Sequence, residues 1–417
     1  MSEEQATQKK KEPAKILLGM AIALILAAIA ATVTITMAIS NEIYSDLIKS
    51  LNVRMAMYDI IKEIDDIVRI SYYGNINNID HTTQLEIGYI KGIGDSKSQY
   101  FSPAEYKAYK QRMKGDEPGA GFLAQYDAAS DGLLVTRVFA SSPAAKSGLK
   151  TGDVIKEIAG TAAIAQNTDE LLGKFKGGTL SSVQIKYSRG GKENTARVML
   201  GYSNPTVVYE LQGNIGYVRI FAFYEKTAGE VNDAIEALQK KSASAVVFDV
   251  RGVNEGKVDY AAAVLKGLCP MTDGSGALAA LIGKDDNIIR SFPSDAKQVQ
   301  MQMAVLINGH TAGAAELFAC DLRDFGKAVL VGEKTAGDDT AQDDFALKDG
   351  GGILLTIAKV RPYRTESYAE GLTPYVEVML TDGNGSKGAL LPLSEDAQAQ
   401  AAFSLYKDQS DEDAGNS

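Results

Sequence analysis

Residues 245–250 read Ala-Val-Val-Phe-Asp-Val, an almost unbroken apolar run that decides the fold class of this chain. Residues 303–307, Met-Ala-Val-Leu-Ile, repeat the pattern. A strand of a parallel sheet that is buried on both faces needs such a run, because neither face meets water. Apolar residues at helical spacing precede the first run, from Thr227, and follow the second, near residues 312–325. This alternation predicts an α/β core built on a parallel sheet.

The composition is that of a globular protein and excludes several classes of function. The chain has 417 residues, of which 45% are hydrophobic and 23% are charged, enough for about two or three domains. Its 43 Lys and Arg against 53 Asp and Glu give a net charge of −10, which disfavours nucleic acid as a partner. With 2 Cys and 2 His, the sequence offers neither a disulfide scaffold nor a multi-histidine metal site. We expect no metal and no cofactor.

The N-terminal part contains a candidate membrane anchor at residues 16–39, which carry no charged side chain. A helix needs about 20 apolar residues to cross the hydrocarbon core. Lysines precede the segment, and Glu42 and Asp46 follow it, so the positive-inside rule predicts residues 1–15 in the cytoplasm and the rest of the chain outside. We expect a single-pass protein of the cell membrane. A cleaved signal peptide is the alternative, although its apolar stretch is usually about 7–15 residues.

Four further regions follow the anchor. Residues 40–113 are predicted to be helical, and their apolar residues at 43–68 either pack on the same domain or form the seam of a dimer. Residues 114–201 alternate short strands with turns, as a small β-rich module does. Residues 202–405 carry the α/β pattern, and the acidic residues 406–417 are predicted to be disordered.

Several short motifs occur in one order along the chain. They are Pro-Gly-Ala-Gly-Phe-Leu at 118–123, Ser-Pro-Ala-Ala-Lys-Ser-Gly-Leu at 142–149, Phe-Asp-Val-Arg-Gly at 248–252, Gly-Glu-Lys-Thr-Ala-Gly at 332–337 and Gly-Leu-Thr-Pro at 371–374. Together they resemble the C-terminal processing peptidases, or tail-specific proteases, of the S41 serine peptidase family. The resemblance covers about residues 60–405 and implies an S41-type mixed α/β core with an inserted PDZ domain.

The resemblance implies a peptide-binding site in the β-rich module. A PDZ domain adds an extended peptide to a sheet edge, and a glycine-rich turn presents backbone N–H groups to the terminal carboxylate. Gly119, Gly121, Phe122 and Leu123 match that turn. The alternative is that these glycines only turn the chain. The expected ligand is a C-terminal peptide or the tail of an unfolded protein.

The resemblance also implies a Ser–Lys dyad supported by Gln, in which the neutral amine takes the serine proton. The serine position is Gly313, within Thr-Ala-Gly-Ala-Ala-Glu at 311–316. The lysine position is Asp338, and the glutamine is retained as Gln342. Glycine has no side chain that attacks a carbonyl, and aspartate offers no amine. No catalytic dyad is therefore intact at the family positions. We expect Gly313 to begin a helix that faces Asp338 and Gln342 across a cleft.

Two other features bear on this site. The family loop Asp-Leu-Arg-x-Asn-x-Gly-Gly corresponds to residues 249–256, where Val253 and Glu255 replace the Asn and the first Gly. The carboxylates at 338, 339, 343 and 344 form an acidic cluster. Oxygen ligands of this kind suit Ca²⁺, but a solvated loop is the interpretation we favour.

The sequence leaves three functions open. The first is a catalytically inactive S41 homologue that holds peptide tails through its PDZ domain, or assembles with a second copy or a partner protease. The second is an active serine-type endopeptidase of protein C-termini with relocated groups, namely Thr311 with Lys334 or His310. The third is a purely structural envelope protein. We expect the first.

Overall fold

A computed structural model describes residues 18–116, 118–175, 181–270, 277–294, 299–379 and 392–407. The chain divides into two compact units, Met1–Thr82 and Thr83–Ser417. The predicted cytoplasmic segment 1–15 lies outside the described residues, as do residues 408–417 of the predicted disordered tail.

The first unit is dominated by one long helix, α1, over Leu18–Ser71. It contains a 20-residue span, Ile22–Asn41, with a mean hydropathy of 2.5, long and apolar enough to cross a membrane. A signal sequence near an N-terminus meets the same criterion. The apolar span and the helical stretch that follows it form one continuous helix. A second helix, α2, spans Asn78–Lys91 and contains the boundary between the two units.

The second unit contains the remaining elements that the structure describes. Its helices are α3 Pro103–Lys114, α4 Pro143–Lys146, α5 Thr168–Gly173, α6 Thr227–Lys240, α7 Val258–Leu268, α8 Ala314–Asp324 and α9 Ala397–Ser404. Its strands are β1 Gln99–Phe101, β2 Pro118–Gly119, β3 Phe122–Asp127, β4 Gly132–Val138, β5 Val154–Ile158, β6 Thr161–Ala162, β7 Ser182–Arg189, β8 Lys192–Met199, β9 Tyr202–Ser203, β10 Val207–Gln212, β11 Ile215–Ile220, β12 Ala245–Asp249, β13 Ala277–Ile282, β14 Ile288–Pro293, β15 Gln302–Ile307, β16 Ala328–Gly332, β17 Thr340–Ala346, β18 Gly352–Pro362 and β19 Val376–Glu377.

The main sheet has the strand order β10-β11-β12-β15-β16-β19 and is parallel except for the β10–β11 pair. Side chains of β12 alternate between its faces. Val246 and Phe248 join a core with α6, α7 and α8, whereas Ala245 and Val247 pack with α9 on the other face. Burial of both faces explains the apolar run at 245–250 and confirms the predicted α/β core.

A second sheet has the order β1-β18-β13-β14, with β17 also paired to β18. Leu281 of β13 and Val360 of β18 enter the same core as α7 and α8. Helix α3 begins at a capping box, in which the Ser102 hydroxyl accepts from the Glu105 N–H and the Glu105 carboxylate accepts from the Ser102 N–H. These elements place α3, β17 and the first turn of α8 around one cleft.

The β-rich module folds as a sheet of order β3-β4-β5-β7-β8, with β6 paired to β5. Its own core includes Leu133, Ile155 and Ile185, all without solvent exposure. The Phe122 ring meets the Phe175 ring edge-on, with centroids 4.9 Å apart. Strand β3 lies at the edge of this sheet.

Both cysteines, Cys269 and Cys320, are buried free thiols. Burial raises the pKa of the Cys320 thiol to about 12, so little thiolate exists near neutral pH to enter disulfide exchange.

Asp321 is fully buried in α8, and one of its carboxylate oxygens has no hydrogen-bond partner. Burial raises its pKa well above the usual 3.8. The native state therefore holds the proton more tightly than the unfolded state, so this residue makes stability fall as pH rises above about 4. We expect Asp321→Asn to flatten that dependence and to raise the free energy of unfolding at pH 8 by at least about 1 kcal/mol.

Urea unfolding followed by circular dichroism between pH 4 and pH 8 measures this effect. The exposed Asp233 provides the control, because Asp233→Asn should leave the slope unchanged. Equal slopes in wild type and Asp321→Asn would show that the buried carboxyl is not the source.

Candidate functional site

Gly313 lies at the N-terminus of α8, with φ 61° and ψ −116°. Its N–H donates to the Glu316 carboxylate at 3.0 Å. The positive φ favours glycine here. A Cβ built on Gly313 would lie 3.5 Å from Asp338 Oδ2, an ordinary contact. The position therefore has room for a side chain, and the cost of one is conformational.

The structure brings Gly313, Asp338 and Gln342 together as lining of one cavity of about 210 Å³. Helix α3 and the loop before α7 form the other walls. The remaining lining residues are Tyr109, Arg112, Met113, Asn254, Glu255, Gly256, Lys257, Val258, Ala314, Thr340 and Leu354.

Glu316 fixes the two motif segments against each other. Its side chain is fully buried and accepts from the backbone N–H groups of Gly313 at 3.0 Å, Gly337 at 2.8 Å and Asp338 at 2.7 Å. The Thr335 hydroxyl also donates to it. A buried carboxylate must be satisfied in this way. Glu316 thereby holds the loop before β17 against the start of α8.

Lys97, which the sequence does not point to, contacts two polar residues of the cleft wall, Asp338 and Thr340. Its Nζ forms an ion pair with Asp338 and donates to the Thr340 hydroxyl at 2.9 Å. Thr340 in turn donates to Asp338 at 2.7 Å and accepts from Gln342 Nε2 at 2.9 Å. Gln342 thus contacts a threonine, and Asp338 is held by a lysine 241 residues away in sequence.

The Thr340 hydroxyl does not face the neutral amine of a Ser–Lys dyad. The Lys97 ammonium has no lone pair to take a hydroxyl proton, and the Thr340 hydroxyl instead donates to the Asp338 carboxylate at 2.7 Å.

The relocated candidates are not assembled in the cleft. Thr311 is fully buried, and its hydroxyl donates to the Val250 carbonyl at 3.0 Å and accepts from the Asn308 N–H at 3.1 Å. Lys334 and His310 are exposed. None of the three predicted residues lines the cavity. Thr311 instead closes the turn that leads into α8.

A buried ionic network supports the loop that forms the opposite wall. Asp249 receives Arg251 Nη2 at 2.6 Å and Arg219 Nη1 at 2.5 Å. Arg251 also reaches Asp396 at 2.6 Å and Gln398 at 2.9 Å, so it links β12 to the start of α9. Burial alone would raise the pKa of Asp249, but the two guanidinium groups outweigh it and hold that pKa well below 3.8.

The end of this loop reaches the cleft. Val253 is buried in the core, whereas Glu255 lines the cavity and accepts from the Tyr224 hydroxyl. Gly256 has φ 130°, and a Cβ there would lie 2.3 Å from the Phe223 carbonyl oxygen. The retained glycine therefore permits a close backbone approach, and Glu255 adds a carboxylate to the same cavity as Gly313.

The acidic cluster is matched by cations and hydroxyls. Asp339 accepts from the Ser367 hydroxyl at 2.5 Å, and Lys257 pairs with both Asp343 and Asp344. Burial would raise the pKa of Asp344, but hydrogen bonds from Lys257, Tyr106 and Lys110 lower it to about 2. Within the described ranges no group of three or more His, Cys, Asp or Glu side chains is arranged to hold a metal ion. Lysines pair with Asp338, Asp343 and Asp344, and the Ser367 hydroxyl donates to Asp339.

The predicted peptide-binding turn lies at the start of the β-rich module. Gly119 pairs with Tyr202 in the β2–β9 ladder, and Gly121 has φ 84°. A Cβ on Gly121 would lie 2.1 Å from the Ser142 Cβ, so close packing also requires glycine here. Phe122 is buried and Leu123 is half-buried on the edge strand β3.

Two protein-family models match this chain, one in the α/β core and one in the β-rich module. The model of Peptidase family S41 matches residues 214–378, and a PDZ domain model matches residues 114–200. Residues 214–378 are thus similar to peptidase family S41, and residues 114–200 are similar to PDZ domains. The matched S41 segment contains Gly313, Asp338 and Gln342, and the matched PDZ segment contains the turn at Gly121.

The chain is similar to two curated proteases. The chain is 26% identical over 321 residues to a probable CtpA-like serine protease of Staphylococcus aureus, covering 76% of this chain and 64% of that protein. It is 27% identical over 348 residues to the carboxy-terminal processing protease CtpA of Bacillus subtilis, covering 80% of this chain and 72% of that protein. The chain thus spans less than two thirds of the Staphylococcus relative.

Two solved structures share the S41 fold. The photosystem II D1 C-terminal processing protease matches with a TM-score of 0.51 and 21% identity, over 81% of this chain and 92% of that one. A putative S41 protease from Bacteroides fragilis matches with a TM-score of 0.53 and 21% identity, over 81% of this chain and 99% of that one. These likenesses confirm the mixed α/β fold with a PDZ domain.

The close approach at Gly121 gives a prediction for the turn at the start of the PDZ-like module. We expect Gly121→Ala to destabilise the module by about 1–3 kcal/mol beyond the cost of its positive φ, because the methyl group would overlap Ser142. Gly148→Ala is the matched control, since Gly148 has φ 85° and nothing within 4 Å of a built Cβ. Urea unfolding of both variants measures the difference. Equal losses of stability would exclude the overlap.

Proposed function

We propose that this chain is a membrane-anchored S41 homologue that holds peptide tails without cleaving them. The observation that carries the proposal is the state of the two family positions. Gly313 has no nucleophile, and Asp338 is paired with Lys97. Around them, the first turn of α8 and Gln342 line the same cavity. The cleft has a binding shape, and the reacting groups are missing.

The loss of rate expected when the nucleophile is absent supports this proposal. Removal of the nucleophile from the serine protease subtilisin lowers kcat by about 10⁶-fold, while binding and oxyanion donors leave a residual rate. Here the base is replaced as well, and Glu255 adds negative charge to the cavity where a reaction of this kind would develop an oxyanion. The Thr340 hydroxyl has the Asp338 carboxylate and the paired Lys97 ammonium as neighbours, not the neutral amine of the family dyad.

The PDZ module supplies the means of holding a ligand. Strand β3 is the edge of its sheet, and an edge strand can accept an extended peptide as an additional strand. Gly119, Gly121, Phe122 and Leu123 lie at the start of that edge. We assign the C-terminal peptide, or the tail of an unfolded protein, to this edge in domain 114–201. The cleft is formed by domain 202–405 together with α3.

The apolar span Ile22–Asn41 supports an uncleaved anchor, with the ectodomain outside the cell membrane. A tethered binding protein acts on tails close to the membrane. It can present them to a second copy of itself or to a partner protease through the apolar positions of residues 43–68.

The proposal is tested with the full-length chain in detergent micelles. A permanently unfolded protein that ends in apolar residues is the probe, and mass spectrometry of its termini is the readout for cleavage. We expect saturable binding and no new termini. Cleavage that disappears in Thr311→Ala or Thr340→Val would establish a relocated nucleophile and defeat the proposal. Absence of binding would favour a structural role.

A further inference from the structure

Among the described residues, three of the four charged side chains that line the cleft have an ion-pair or hydrogen-bond partner in the protein. Glu255 accepts from Tyr224, and Asp338 is paired with Lys97. Lys257 is paired with two aspartates of β17. Each of these groups therefore has a protein partner. Arg112 is the remaining charged residue of the cavity lining.

Arg112 projects from the last turn of α3 and is half-buried. Its guanidinium lies 5.8 Å from the centroid of the Tyr109 ring. Its Nε atom is shielded from solvent and has no hydrogen-bond partner. In the part of the chain that the structure describes, Arg112 makes no ion pair. A buried donor without a partner costs about 1–3 kcal/mol, and more when it is charged.

A ligand that brings an acceptor would recover that cost. Guanidinium groups bind carboxylates in a two-pronged geometry, with hydrogen bonds roughly twice as strong as neutral ones. The cavity of about 210 Å³ is smaller than the roughly 300–1,000 Å³ of pockets that bury a drug-sized ligand. It suits the end of a chain rather than a long segment.

The residues that line the cavity indicate which kind of chain end it binds. Met113, Val258 and Leu354 offer apolar contacts beside Arg112. Asn254 and Gln342 add side-chain amides that can donate to or accept from a peptide group. A terminal residue with an apolar side chain and a free α-carboxylate satisfies the cation, the amides and the apolar wall together.

We propose that the cleft binds the carboxylate end of a peptide through Arg112, as a second recognition point apart from the PDZ turn. The inference rests on the proposed function, because it assumes that the cleft holds peptides without cutting them. It assigns to the cleft an end-on ligand, whereas a cleavage site must admit a chain that continues on both sides of the bond.

The test uses N-acetyl-Ala-Leu as the free acid and as its C-terminal amide, with the full-length chain in detergent micelles. Ligand-detected NMR titration gives both affinities. We expect the free acid to bind and Arg112→Gln to weaken it at least about tenfold, the loss of one charge-assisted interaction. Arg112→Gln should leave the weaker amide unchanged. Lys107→Gln on the exposed side of α3 is the matched control and should change neither affinity.

Several outcomes would overturn the inference. Equal affinity of the acid and the amide in wild type excludes carboxylate recognition. An Arg112→Gln variant that binds the acid as wild type does places that recognition elsewhere, as in the PDZ turn. Either result leaves the proposed function standing if the long unfolded tail still binds uncleaved, whereas cleavage of that tail refutes the proposed function itself. Removal of an unpaired cation should not unfold the chain, and circular dichroism checks this.

Discussion

Arg251→Met is expected to lower the free energy of unfolding of the core by about 3–5 kcal/mol, the usual cost of removing one partner from a buried ion pair. Arg251 is only 3% exposed. Its guanidinium bridges Asp249 in β12 and Asp396 at the start of α9. Methionine fills a similar volume but leaves the Asp396 carboxylate buried without its cation. Asp249 keeps only Arg219 as a charged partner.

The same substitution should change the response to acid. The pKa of Asp249 is held well below 3.8 in the native state, so its contribution to stability is present above about pH 4 and is lost as pH falls below that value. Without Arg251 this pKa rises towards its usual value and the acid-dependent part becomes smaller. Urea unfolding by circular dichroism at pH 7 and pH 4 measures both effects.

A double variant separates the charge from the packing. The double variant Arg251→Met with Asp396→Asn has no carboxylate left without its cation at position 396. Its loss of unfolding free energy should therefore be smaller than the sum of the losses in the two single variants. Additive losses would show that the Arg251–Asp396 contact is not the source. Because the loop 252–256 follows Arg251 directly into the cleft, we also expect Arg251→Met to weaken ligand binding there.

The sequence predicted those parts of the site that depend on local motifs. Gly313 and Glu316 lie at the start of one helix, and Asp338 and Gln342 flank the start of one strand. Within each segment, the spacing along the chain therefore fixes the relative positions of the two residues. The two segments meet because Glu316, three residues after the helix cap, bonds the N–H groups of the second segment. The apolar run at 245–250 likewise specifies a strand covered on both faces.

Other parts of the site depend on contacts that no local pattern records. Lys97 reaches Asp338 across 241 residues from a turn with no motif. The sequence shows the four carboxylates of the acidic cluster but not the groups that pair with them. The fold brings Lys257 into contact with Asp343 and Asp344. Thr311 has a suitable hydroxyl, but the turn before α8 buries it. Ion pairs between residues far apart in sequence therefore determine which charged groups of the cleft are available to a ligand.

Restoring both family residues is expected to give the chain proteolytic activity. Gly313→Ser supplies a hydroxyl, and Asp338→Lys supplies an amine in contact distance of it, because a Cβ at position 313 lies 3.5 Å from the present Asp338 carboxylate. The new amine would lie beside Lys97, and two neighbouring ammonium groups lower each other's pKa. A lowered pKa is what a general base at neutral pH needs.

We expect cleavage of an unfolded apolar-tailed protein at a rate about 10²- to 10⁴-fold above either single variant, the usual range for a positioned acid or base. Each single variant, Gly313→Ser or Asp338→Lys, should cleave the substrate no faster than wild type, because a nucleophile and its base act as a unit. Gly313→Ala with Asp338→Lys is the matched control, with the same strain at φ 61° and no hydroxyl. Mass spectrometry of the substrate termini measures the rate. If the double variant folds, binds the tail and stays inactive, Val253 and Glu255 remain as departures from the family loop, and adding Glu255→Gly decides whether the carboxylate suppresses the reaction. Wild-type cleavage equal to that of the double variant would mean that activity was never lost.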